Sequence, residues 1–126
     1  MDTAIRPIPG ERDLSEEEYR LTRWILEHSA PEAELLLAQL DRARVVSRCA
    51  CGCASVDFEV EGEPARTGAP YVLGEFLGGE AAERFGIFVF QRGGRLAGVE
   101  VYGLAGDPPS TLPAPEQLRS FEESAP

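Results

Sequence analysis

The chain has 126 residues, enough for one domain that removes roughly two thirds of its unfolded surface from water. Its hydrophobic fraction of 43% sets it apart from disordered chains. The formal charge of −10 argues against general phosphate-backbone binding, which needs clustered cations, and no apolar stretch approaches the ~20 residues that span a bilayer.

Residues 1–13 read as an extended lead-in punctuated by Pro7, Pro9 and Gly10. Ser15 followed by Glu18 is a capping box, so a helix is expected from about Glu16 to His28, with Leu21, Trp24, Ile25 and His28 on one face. Ser29 with Glu32 repeats the pattern, and Pro31 suits a first turn. A second helix is therefore expected from about Pro31 to Asp41, turning Ala33, Leu36, Leu37 and Leu40 inward. The tight joint between the two implies a helical corner or hairpin.

From Arg44 the period changes to two. Val56, Phe58 and Val60 alternate with polar residues as in a half-buried strand. Val45 to Cys49 is the expected partner strand, with the Cys51–Cys53 region either a bend between the two or part of one long bent strand. Residues 62–70 contain two prolines and read as a loop. Tyr71 to Leu77 is a short strand or an irregular stretch, and Ala81 to Arg84 suits a helical turn. Ile87 to Phe90, the pair Gly93-Gly94, and Leu96 to Tyr102 form the clearest hairpin signal, since such a turn needs positive φ. Ile87 to Phe90 is apolar on both faces, which places it inside the sheet. The Pro-rich tail, residues 106–126, holds at most one short helix, from Glu116 to Phe121, that docks Leu118 and Phe121. The expected architecture is a single α+β domain over residues 1–126, with two N-terminal helices packed on a four- or five-stranded, mostly antiparallel sheet.

The one local pattern that suggests chemistry is Cys49-Ala50-Cys51-Gly52-Cys53, which contains all 3 cysteines. Thiolates are strong zinc ligands, and two sulfurs on one zinc lie at most ~4.6 Å apart. On a straight strand the Cα atoms of Cys49 and Cys53 would stand about 13 Å apart, so the three could not converge. A bend at Gly52 would bring Cys51 and Cys53 together. The sole imidazole, His28, falls on the expected inner face of its helix, near a C-terminus that favours a cation. A redox pair is disfavoured by the small ring that a Cys-x-Cys disulfide closes. The plain alternative is three small residues packed on a bent strand.

Other chemistry is missing from the pattern. Neither glycine pair precedes Lys-Ser/Thr at phosphate-loop spacing, and no Gly-x-Ser-x-Gly elbow accompanies His28. Glu80 and Glu100 could meet only as one chance pair among 22 acids. Glu75, Glu80, Glu83 and Arg84 beside Phe76, Leu77 and Phe85 read as a loop pinning its aromatics, or as the rim of a patch. All 12 cations are arginine, which together with 13 glycines and 10 prolines points to codon bias in a GC-rich bacterial genome.

Arg6-Pro7 before an acidic helix start, Ala43-Arg44-Val45-Val46 leading to Cys51-Gly52-Cys53-Ala54-Ser55, the Gly-rich hairpin and the Leu112-Pro113 to Leu118 tail resemble a family of small bacterial domains of unknown function with a Cys-Gly-Cys-x-Ser motif. The resemblance implies no activity, cofactor or catalytic residue. The leading expectation is a non-catalytic binding or interaction protein, immunity-like or regulatory, with a basic protein partner and no nucleic acid or membrane. The alternative is a thiolate metal-binding protein that holds zinc on Cys49, Cys51 and Cys53. An odd cysteine count and no visible apolar leader point to the reducing cytoplasm.

Overall fold

Alternating apolar and polar residues pair strands through one face and leave the other open, and that rule governs most of this chain. The structure, a computed structural model, describes residues 7–29, 31–61 and 69–120. In chain order the elements are β1 (Ile8–Asp13), α1 (Glu16–Glu27), α2 (Pro31–Glu34), α3 (Leu37–Leu40), β2 (Ala43–Arg48), β3 (Val56–Val60), β4 (Tyr71–Gly78), β5 (Phe85–Arg92) and β6 (Arg95–Gly103). The strands form one sheet in the order β1-β2-β3-β6-β5-β4, and every pairing is antiparallel. The helices cover one face, giving the expected α+β class.

The sheet has six strands among the described residues rather than four or five, because part of the expected lead-in is β1. Pro9 and Gly10 signal a break locally, but β1 is an edge strand, where a residue lacking N–H is tolerated. An irregularity between Pro9 and Arg12 absorbs the mismatch. The helices are thus preceded by a strand and do not begin the fold. Arg12 then ties β1 to α1 through two hydrogen bonds of 2.7 Å, one to each carboxylate oxygen of Glu18.

The first capping box forms as read: the Glu18 N–H donates to Ser15 Oγ at 3.1 Å, and the Ser15 N–H donates to Glu18 Oε1 at 2.8 Å. The buried stripe of α1 is Glu18, Leu21, Thr22, Ile25 and Leu26. Trp24 lies at its margin, edge-on to Phe76 with ring centroids 4.9 Å apart. There it covers the lip of the core, and the helix rolls Thr22 and Leu26 inward in its place.

The second helix is broken into α2 and α3. Leu35 is 78% exposed between them, and the joint uses tight bonds three residues long, from Leu36 N–H to the Ala33 carbonyl and from Gln39 N–H to the Leu36 carbonyl. This path buries Ala33, Leu36 and Leu40 together. The second capping box does not form, since the Ser29 hydroxyl donates back to the Ile25 carbonyl.

The core lies between α1–α3 and the inner sheet face, where Val45, Phe58, Ile87, Val89 and Val99 meet Leu21, Ile25, Leu26 and Leu40. The Gly93-Gly94 turn has φ of 60° and 83°, as the hairpin requires. β5 is interior to the sheet, with Ile87 and Val89 in the core and Phe88 and Phe90 on the helix-free face. In the tail, the expected helix is a single 3-10 turn, Pro115–Gln117. Leu118 packs against the core, Arg119 pairs with Leu77 on the β4 edge through two bonds of 2.9 Å, and Phe121 lies outside the described residues. Among the described residues, no helix is long and apolar enough to cross a membrane.

Candidate metal centre

The cysteine run is neither a strand nor buried. β2 ends at Arg48 and β3 begins at Val56, so residues 49–55 form the hairpin tip between antiparallel neighbours. The Cys49 N–H donates to the Ser55 carbonyl at 3.2 Å, closing the hairpin, and the Gly52 N–H donates to the Cys49 carbonyl at 3.2 Å, closing a turn inside it. Gly52 has φ +89°, a backbone state that residues with a Cβ rarely adopt. The reading of three residues packed on a strand is therefore corrected. A strand there would have no residue left with which to reverse direction, and glycine supplies the reversal.

The bend does more than join Cys51 to Cys53. All three sulfurs lie within 4.8 Å of one another, in place of the long separation a straight strand would impose. Cys49 and Cys53 are half-buried and Cys51 is exposed, all as free thiols. The Cys49 and Cys51 sulfurs share a hydrogen bond across 2.8 Å. The Cys51 N–H points at Cys49 Sγ and the Cys53 N–H at Cys51 Sγ, both at 3.4 Å, and the Cys53 thiol donates to Ser55 Oγ at 3.4 Å.

These contacts separate the thiols electrostatically. The bond from Cys49 and the Cys53 N–H hold the Cys51 thiol below its ordinary pKa, since hydrogen bonds to the charged form favour it. Cys49 moves the other way, to about 11, through its hydrogen bond to Cys51 and partial desolvation. Cys51 is accordingly the first of the pair to become a thiolate.

The loop is held from two sides. The Ser55 hydroxyl accepts from the Val101 N–H at 2.9 Å and donates to the Val101 carbonyl at 3.3 Å, continuing the β3–β6 contact where the backbones part. The Ala54 N–H donates to the Pro109 carbonyl at 3.0 Å, so the tail supports the same loop. Sequence reading missed these anchors. The signal for them was weak, since a serine after a cysteine loop carries no periodicity and Pro109 lies far along the chain.

His28 is placed elsewhere. It is exposed at the C-terminus of α1, where its Nδ1 contacts the Trp24 carbonyl at 2.8 Å and its ring stacks on Trp24 at 4.2 Å. The expectation of an inward-facing histidine is corrected, while its contact with the helix end stands. Several carboxylates share the helix-free sheet face: Glu75 accepts from the Tyr102 hydroxyl, and Glu100, opposite Phe88, has Asp57 and Arg92 as its charged neighbours. Comparison with family models, curated proteins and solved structures finds no match to this chain.

Proposed function

We propose that this protein is a thiolate metal-binding protein whose site is the hairpin tip formed by Cys49, Cys51 and Cys53. The observation that carries the reading is the convergence of three sulfurs within 4.8 Å, produced by a left-handed glycine. Two backbone N–H groups directed at the sulfurs add outer support of the kind that tunes metal thiolates. The site is a place to carry or sense an ion rather than a structural staple, because the buried core is drawn from the helices and sheet and only Cys53 and Ala54 of the loop pack against its edge.

The test is elemental analysis of protein purified without chelator, beside a variant with all three cysteines changed to serine. About one zinc or copper per chain, lost in a variant whose circular dichroism is unchanged, supports the reading. Sub-stoichiometric zinc and copper in the native protein overturns it.

The helix-free sheet face favours a second reading, a non-catalytic interaction protein with a basic protein partner. Phe88, Phe90 and Tyr102 form an aromatic cluster there, with centroids 5.9 and 6.1 Å apart, beside Asp57, Glu75 and Glu100. Apolar rings next to carboxylates suit a cationic segment. Capture of a partner by the native protein, but not by Glu75→Arg or Phe88→Ala, supports this reading. Equal capture by all three excludes this face.

A further inference from the structure

We infer that the three-sulfur tip is built for a soft ion content with three donors, of which monovalent copper is the biological representative, rather than for zinc. The inference rests on the metal-binding reading above and concerns which ion it takes.

Donor number is the first argument. Among the described residues the converging group contains only the three cysteines. The oxygen donors of the adjoining pocket, Ser55, Asp57 and Glu100, are not part of that group: Ser55 bonds both backbone groups of Val101, and the Asp57 carboxylate accepts from the Ser47 hydroxyl at 2.7 Å. His28 is held against Trp24. Zinc prefers a tetrahedron of four donors, so on the three sulfurs of this loop it would need a fourth from solvent. Cu(I), with a filled d shell and one positive charge, is satisfied by three sulfurs in a plane.

Donor type is the second argument. The converging donors are all sulfur, and such a set selects soft ions and offers nothing to hard ones such as Mg²⁺ or Ca²⁺. Access is the third. Cys51 at the apex is exposed while Cys49 and Cys53 are half-buried, so a donor thiolate can approach from solvent and pass an ion on by stepwise ligand exchange. A closed four-ligand site would block that route.

The experiment uses the reduced full chain under anaerobic conditions, loaded with Cu(I) alone, with Zn²⁺ alone, and with an equimolar mixture of both. X-ray absorption at each metal edge counts the sulfur ligands. The expected result is one Cu(I) per chain with three sulfur neighbours, complete displacement of zinc in the mixture, and a fall to two sulfurs in Cys53→Ser. Cys51→Ser, measured in parallel, gives the same fall without altering the half-buried positions. Zinc that holds its place in the mixture, or copper bound by two sulfurs in the native chain, overturns the choice of ion and leaves the metal-binding reading standing. Failure to bind either ion overturns both.

Discussion

Replacing Gly52 by alanine separates the geometry of the tip from the identity of its ligands. A Cβ placed on Gly52 meets nothing within 4 Å, so the substitution creates no clash; its only cost is φ +89°. A residue with a Cβ in the left-handed region costs about 1–2 kcal/mol. Position 52 itself packs against nothing, so the metal-free variant relaxes residue 52 to negative φ and lets the sulfurs separate. Binding must then restore the strained backbone, and affinity falls by that amount, about 5- to 30-fold. Asparagine tolerates this region better, so Gly52→Asn is expected to fall between wild type and Gly52→Ala. Competition against a chromophoric chelator measures the affinities, and thermal denaturation of the metal-free proteins checks that their midpoints stay together. Unchanged affinity in Gly52→Ala refutes the reasoning, as does a loss confined to the stability of the metal-free form.

Three further expectations concern the thiols and the frame around them. In metal-free, reduced protein, iodoacetamide should modify Cys51 before Cys49, whose thiol pKa is held up by its bond to Cys51; tandem mass spectrometry at low conversion across a pH series reads the order, and equal rates for the two would refute it. Burial raises the Glu18 carboxyl, but the Arg12 guanidinium and the Ser15 N–H outweigh it and leave the pKa lowered. Glu18 therefore stabilises the fold fully above the ordinary carboxylate pKa and loses that effect as pH falls through its lower folded value. Because Arg12 is half-exposed, Glu18→Gln should cost only about 1 kcal/mol at neutral pH, with a flatter acid limb in urea midpoints measured as pH is lowered. Phe58 is 1% exposed in the middle of the core, and Phe58→Ala should cost about 3–5 kcal/mol, read as a lower urea midpoint at constant slope.

Where a local rule acted alone, the fold was legible. Ser15 and Glu18 marked the start of α1, Gly93-Gly94 marked the β5–β6 turn, and the alternation of Val56, Phe58 and Val60 marked β3 and its buried face. Reading failed where a distant partner decided the outcome. Pro9 and Gly10 speak for a loop, and only the edge of β2 makes their segment a strand. The helical period of residues 31–41 turned Ala33, Leu36 and Leu40 inward as found, but nothing local marked the break between α2 and α3. The cysteine run was half legible. Two period-two segments facing each other across residues 49–55 demand a reversal, and Gly52 is the residue suited to supply it. What could not be read was that the reversal gathers Cys49 with the other two, since that depends on the turn closed by Gly52 N–H and Cys49 carbonyl.

That placement also bears on how an ion would affect stability. A ligand that binds only the native state raises stability in proportion to the logarithm of its concentration over Kd. Zinc-finger ligands lie far apart in sequence, so unfolding disperses them and the ion stabilises the whole fold. Here the three thiols sit within five consecutive residues, Cys49 to Cys53, and the unfolded chain keeps them close because so short a loop costs little entropy to close. The unfolded state therefore retains much of the affinity, and the native state gains only the fixed φ at Gly52 and the two N–H contacts. Fixing the backbone of one glycine is worth about 1–2 kcal/mol in entropy, so saturating metal should raise the unfolding free energy by about that much, far less than its binding free energy. Urea denaturation of metal-free and loaded protein at matched concentrations measures the difference. An increase of several kcal/mol would refute this reasoning, because it would require a donor brought to the tip by folding from elsewhere in the chain.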